Sequence, residues 1–388
     1  MKNEIYLDNA ATTPISAEVL AEMTDKLANV WGNASTLYQY GRTAHTVLED
    51  ARHVIATSIN ADVDEIVFTS GGTESDNTAI MQTARARRGE GKHIITTAIE
   101  HEAVLKPMAA LEEAGFDVTY LPVDEAGNIS LTDLKAALRE DTILVSIMYG
   151  NNEVGSLNPI HEIGTLLQDY QAWFHTDAVQ AYGLEDIDVK RDHIDLLSTS
   201  AHKINGPKGT GFLYRRAGIN FPSFMKGGDQ ETKRRAGTEN IPSIAGMAKA
   251  AEGLTKEEKA NRQAKYYGFK QQIVAGLNQA GVEFEVNGDM SQNRLNHVFN
   301  IWLKGISTYL MQTNLDLAGI AVSGGSACTA GSLEPSHVLT AMYGEKSPRI
   351  AESLRVSFGR YTTSEDIETL VQTIAAITQR LTKKNEVH

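Results

Sequence analysis

The sequence predicts a mostly parallel α/β sheet with helices on both faces, followed by a smaller α+β domain at the C-terminal end. Three observations carry this. Short β-rich runs alternate with helical patterns from about residue 65 to 215. Those runs are apolar on both faces, as strands buried between two helical layers must be. Near residue 255 the alternation stops and one long, polar-faced helix begins.

Taken in order, residues 43–59 place Ala44, Val47, Leu48, Ala51, Ile55 and Ile59 on one helical face. Strand-like runs follow: "EIVFTS" (65–70), "HIITTA" (93–98), "DVTYLP" (117–122), "TILVSIMY" (142–149), "AWFHTD" (172–177) and "IDLLSTS" (194–200). Helical patterns around 102–114, 131–139 and 161–171 separate most of them. The helix after 255 ends at Gly281, a residue type suited to the backbone just past a helix. "HVFNIWL" (297–303) and "SLRVSFG" (353–359) read as strands, and Ile367, Leu370, Val371, Ile374, Ile377 and Leu381 mark a last helix over 364–381. The second domain is expected from about residue 259.

A chain of 388 residues can bury a substantial core, and 41% hydrophobic with 22% charged residues is the balance of a soluble globular protein. The opening "MKNEIYLDNAATTPI" has no signal-peptide character, and no run approaches the roughly 18 apolar residues needed to cross a bilayer. The single cysteine, Cys328, permits no internal disulfide, so a reducing cytoplasm is expected. A net charge of −13 argues against nucleic-acid binding through a broad basic surface.

Three motifs carry the chemistry. "FTSGGTESDN" (68–77) is a strand, a Gly-Gly turn and a helix beginning near Thr73. Free N–H groups at a helix start suit a phosphate, although a plain turn capped by Thr73 looks the same. There is no P-loop, which disfavours a nucleotide. "WFHTDAVQA" (173–181) ends an apolar strand on Asp177, where open α/β sheets place ligand-binding groups. Such a carboxylate either pairs with a protonated ring nitrogen or caps the next element. "STSAHKINGPKGTGFLY" (198–214) puts Lys203 just past another strand end, beside Ser200 and His202. A lysine with a lowered pKa forms a Schiff base with an aldehyde, and Lys208 is its competitor. Together, the phosphate turn, the carboxylate and the lysine are what a pyridoxal phosphate site requires. His101 and Asn152 each follow a strand end. Arg355 and Ser357 face away from Leu354, Val356 and Phe358, so Arg355 either grips an α-carboxylate with its fork or forms a surface ion pair.

These residues make the family visible. The chain resembles the pyridoxal-phosphate-dependent cysteine desulfurases, the NifS/IscS-like group of the class V aminotransferase family. The likeness runs nearly end to end through "YLDNAATTP", "FTSGGTESDN", "EHEAV", "NNEVG", "HTDAVQ", "SAHKINGPKG", "RAGTENIP", "GSACTAGSLEPSH" and "LRVSFGRYTT". It implies the fold type I architecture of pyridoxal phosphate enzymes, with a large domain over 15–258 and a small domain of 1–14 plus 259–388. It implies that Lys203 forms the Schiff base, Asp177 pairs with the pyridinium nitrogen and His101 stacks on the ring. Gly72, Thr73, Ser200 and His202 are then phosphate-site residues, while Gln180 and Asn152 reach the ring hydroxyl or the substrate. Arg355 takes the substrate carboxylate, and Thr238 contributes to the phosphate site of the other subunit of a homodimer.

The implied reaction turns L-cysteine into L-alanine and leaves the sulfur as a persulfide on Cys328, with His101 managing protons. A sulfur-acceptor protein, an iron–sulfur scaffold or a tRNA-thiolating enzyme, is the expected partner. No metal, membrane or direct nucleic-acid contact is expected. A selenocysteine lyase or an aminotransferase of the same family would share this site without depending on Cys328. The glycines around Cys328 predict a mobile loop over about 323–333. Ala34, Tyr38 and Asp229 depart from the usual family pattern and put local loop shape in question.

Overall fold

Two principal hydrophobic cores organise the residues described by the computed structural model, 4–324 and 335–385. The chain enters with β1 (Ile5–Tyr6) and then builds a seven-stranded sheet from β2 (Ile66–Thr69), β3 (His93–Thr97), β4 (Asp117–Leu121), β5 (Thr142–Ser146), β6 (Trp173–Asp177), β7 (Leu196–Ser198) and β8 (Gly211–Arg215). Their order is β2-β8-β7-β6-β5-β3-β4. All neighbours are parallel except β8, which runs antiparallel to both β2 and β7.

Side chains alternate across this sheet, as the pleat requires. Ile95, Leu197 and Phe212 join the larger core, which is shared with the helices Gln39–Ser58, Ile160–Leu167 and Ile241–Glu252. Ile94 faces the other way, onto Ile80 and Ala84 of the helix Gly72–Arg87 and onto Val104 and Met108 of the helix Glu102–Glu113. The expected helical face at 43–59 is buried at Ala44, Leu48, Ala51 and Ile55.

The second core lies around β9 (Phe284–Val286), β10 (Val298–Leu303) and β12 (Ser353–Ser357), an antiparallel sheet in the order β12-β10-β9. Phe269, Ile273 and Leu277 of the helix Lys256–Gln279 pack there with Ile367, Leu370 and Ile374 of the helix Ser364–Asn385. β1 pairs in parallel with β11 (Ile320–Ala321), so Leu7 belongs to this second core although residues 17–252 intervene in sequence. The stretch from Asp8 to Ser16 must therefore cross from one core to the other. No helix among the described residues is long and apolar enough to cross a membrane.

Candidate active site

A cavity of about 490 Å³ lies where the carboxyl ends of β2, β6 and β7 meet the crossing stretch, a size suited to a small-molecule ligand. At one end the chain leaves β2 and turns into the helix Gly72–Arg87. Gly71 adopts φ +142°, and a Cβ at Gly72 would stand 2.6 Å from Val179 Cγ2. Both glycines are therefore required by shape. Gly72, Thr73, Ser200 and His202 line this end. His202 Nδ1 pairs with Thr12 Oγ1 at 3.1 Å, and burial, reinforced by Lys203 and Lys208, lowers its pKa to about 4. Its ring is thus neutral at pH 7. Helix-start amides, two hydroxyls and a neutral imidazole form a donor set that fits a phosphate.

Lys203 follows β7 on the short 3₁₀ turn Ala201–Lys203. Its Nζ donates to the Ala10 carbonyl at 2.5 Å and the Ala11 carbonyl at 2.9 Å. These carbonyls are held by neighbours of Lys203 itself. Thr13 donates to the His202 carbonyl through both its N–H and its hydroxyl, and that hydroxyl accepts from Asn205 N.

Asp177 ends β6 and accepts from Val179 N at 2.9 Å within a tight turn, rather than capping a helix. Burial raises its pKa, while His101 and Lys203 act the other way. Asp76, from the helix Gly72–Arg87, is 1% exposed and also lines the cavity. Burial first, and then the charge on Asp177, pushes Asp76 well above the usual carboxylate range. Its Oδ1 has no hydrogen-bond partner among the described residues and lies 3.6 Å from His175 Nε2. His175 is kept neutral by burial, with a pKa of about 3, and bonds Ser146 and Ser198. Both acids are pushed up by burial, Asp76 the more strongly, while only Asp177 has His101 and Lys203 favouring its charge.

His101 caps the helix Glu102–Glu113 by accepting from Ala103 N at its Nδ1, which places the ring proton on Nε2. Gln180 and Asn152 also line the cavity. Arg355 is 1% exposed, so it is no surface residue. Its Nη2 donates to Asp8 Oδ1 at 2.8 Å and its Nη1 to the Asn152 carbonyl at 3.0 Å, while Nε has no partner among the described residues.

Thr238 is exposed and lines a neighbouring shallow pocket with Gly209 and Arg235, not this cavity. Ala34, Tyr38 and Asp229 do not line the cavity either. Cys328 and the segment around it, 325–334, fall outside the described residues. Sequence reasoning missed the Ala10 and Ala11 carbonyls, Asp8 and Asp76. The "YLDNAATTP" stretch was the available signal for the first three, whereas Asp76 had none beyond its place in "TESDN". A phosphate end, a buried carboxylate and a clamped lysine around one cavity fit pyridoxal phosphate.

Comparison with known proteins agrees. The class-V aminotransferase family profile matches residues 5–370. A protein of Bacillus subtilis (strain 168) named "Putative cysteine desulfurase IscS 1" is 53% identical over 378 residues, covering 97% of this chain and 99% of that protein. A solved NifS-like protein superposes with a TM-score of 0.89 at 33% identity, over 96% of this chain and 99% of its own. The structure of SspA in complex with cysteine gives a TM-score of 0.81 at 35% identity, over 92% and 100%. The chain therefore belongs to the class-V aminotransferase family, among its pyridoxal-phosphate-dependent cysteine desulfurases of the IscS and NifS kind.

Proposed function

We propose that this cysteine desulfurase carries the sulfur of L-cysteine as a persulfide on Cys328 and passes it to an acceptor protein, with L-alanine as the other product. The observation that supports this most is the convergence of Lys203, Asp177, Arg355 and the Gly72–Thr73 helix start on one cavity. Bound pyridoxal phosphate supplies an electron sink for the α-carbon of an amino acid.

The chain's own groups do the rest. Lys203 holds the cofactor, and its amine, when free, is kept in place by the Ala10 and Ala11 carbonyls, on hand to take the α-proton. Asp177 would pair with the ring nitrogen, its charge favoured by His101 and Lys203, while burial pushes Asp76 the more strongly toward its neutral form. The helix start, Ser200 and His202 take the phosphate. His101, which lines the cavity, would stack on the ring, and it accepts a proton at Nδ1 only by giving up its bond to Ala103 N. Arg355, its plane set by Asp8 and the Asn152 carbonyl, receives the substrate carboxylate, with Asn152 and Gln180 nearby. Cys328 attacks as the thiolate.

The IscS name of the Bacillus relative favours iron–sulfur cluster assembly as the destination of the sulfur, with tRNA thiolation through a partner enzyme as a second outlet. A cytoplasmic homodimer is part of the same reading, in which Thr238 reaches the other subunit's phosphate site. The large unit, 15–258, supplies the cofactor contacts, and the small one, 1–14 with 259–388, supplies Arg355 and Cys328.

The test is product analysis. The enzyme with L-cysteine and a reductant is expected to yield alanine and sulfide in equal amounts. Cys328→Ser is expected to keep the absorbance response to L-cysteine yet release almost no sulfide. Undiminished sulfide release by that variant overturns the persulfide. Amino-group transfer to 2-oxo acids with Cys328 dispensable would make the protein an aminotransferase instead.

A further inference from the structure

Gln180 and Lys203 form a wall between the main cavity and a second, water-sized space of about 30 Å³ behind it. His297 stands on that far side, one residue before β10, and is 7% exposed. The hydrogen-bond directions through this wall follow from chemistry alone. Gln180 Nε2 lies 3.0 Å from the Ala10 carbonyl, and a peptide carbonyl only accepts, so the amide nitrogen must face it. The other end of the amide, Oε1, then faces His297 Nε2 at 2.9 Å. An acceptor there needs a donor, so His297 carries its proton on Nε2.

Nothing competes for that arrangement. Burial, with Lys270, Lys203 and Arg355 adding positive charge, lowers the His297 pKa to about 3, so the ring holds one proton only. His297 Nδ1 is buried and has no hydrogen-bond partner among the described residues. The backbone is fixed too, because Phe358 N donates to the His297 carbonyl at 2.8 Å. A flipped Gln180 amide would set oxygen against the Ala10 carbonyl and NH2 against an N–H.

We propose that His297 is a positioning residue that locks the Gln180 amide, so that Gln180 turns its second N–H, and never its carbonyl, toward the ring oxygen of the cofactor. This rests on the reading of Gln180 as a cofactor contact. An N–H donated to that oxygen stabilises its deprotonated form. It also weakens the oxygen's hold on the proton of the neighbouring imine nitrogen, so the imine loses its proton at lower pH. Without His297 the Gln180 amide is held only at its nitrogen end, by an Ala10 carbonyl it shares with Lys203, and its Oε1 loses the donor that keeps it on the far side; the N–H then points less firmly at the ring oxygen and the midpoint rises.

The experiment is a pH titration of the visible absorption of the cofactor-loaded enzyme, with cofactor content and thermal melting measured alongside. His297→Leu is expected to move the midpoint upward by about one pH unit. If that variant does not fold, His297→Asn, polar but too short to reach Gln180, is expected to show the same shift. His297→Gln keeps an N–H at similar reach and is expected to stay at the wild-type midpoint. Gln180→Leu is expected to shift as His297→Leu does. A shift in Gln180→Leu without one in the His297 variant overturns the lock. A His297→Gln midpoint as displaced as that of the Leu variant overturns it as well. No shift in either Leu variant overturns the reading of Gln180 and the lock together.

Discussion

Arg355 donates one arm to Asp8 and another to a backbone carbonyl, so its guanidinium plane is set before any substrate arrives. Lysine would keep the charge and lose the planar fork. Arg355→Lys is expected to lower kcat/KM for L-cysteine by about 100-fold, mostly through KM; steady-state kinetics at saturating cofactor checks this. Glu100 is a second buried group whose state is set by its surroundings. Its Oε1 accepts from Thr97 Oγ1 and Met148 N, its Oε2 has no partner, and burial raises its pKa to about 8. Because the folded value lies above the unfolded one, its contribution to stability is complete below about pH 4.5 and is lost as the pH rises to about 8. Glu100→Gln escapes that loss. Its stability relative to the wild type is therefore expected to rise by about 1.4 kcal/mol per pH unit across this window, read by urea unfolding at several pH values. A difference independent of pH would mean that Glu100 is ionised throughout. Lys203 and Asp177 were legible in the sequence because a strand ending on a polar residue is a local pattern. Asp76, Glu100 and His297 were not. What distinguishes them is burial against residues distant in sequence, Met148 for Glu100, Asp177 for Asp76 and Gln180 for His297, which no local pattern announces.

At the scale of elements, the junction of β2 with the helix Gly72–Arg87 allows little change. A methyl group at Gly72 meets Val179 at 2.6 Å, and Val179 belongs to the turn that positions Asp177. Gly72→Ala is expected to weaken cofactor binding by about 10- to 100-fold, the usual size of an overpacking strain, read by titrating the apoenzyme with pyridoxal phosphate. Trimming the other side, as Gly72→Ala with Val179→Ala, is expected to restore part of the affinity. Most strands and helices could be read from periodicity, since apolar spacing is dictated by the element itself. The antiparallel course of β8 could not, because strand direction depends on where the preceding connection returns to the sheet. The strand expected from 297 begins at Val298, and that one-residue difference leaves His297 outside the regular pairing with its side chain against Gln180.

At the scale of the whole molecule, Trp31, Leu37, Tyr38 and Tyr40 expose large apolar surface within ten residues, Leu37 being 89% exposed. A contiguous run of this kind on a chain of net charge −13 suits a partner that is equally apolar, as a second copy would be. In the proposed homodimer, Leu37→Arg is expected to shift the sedimenting species from dimer toward monomer and to reduce cofactor retention with it, if Thr238 serves the neighbouring site. An unchanged dimer would place the contact elsewhere. The stretch that clamps Lys203 has one more consequence, for the order in which the protein is made. Leu7 N bonds the Ala321 carbonyl and Ser357 N bonds the Leu7 carbonyl, so Leu7 finds its last partner only when 350 further residues have been made. The seven-stranded sheet can be complete on the ribosome long before this happens. Until then the Ala10 and Ala11 carbonyls are held from the Lys203 side alone, through Thr13 and Gln180, and a nascent chain stopped short of Ser357 would have a folded sheet but a lysine clamp without the bond from Ala10 N to Ser357 Oγ.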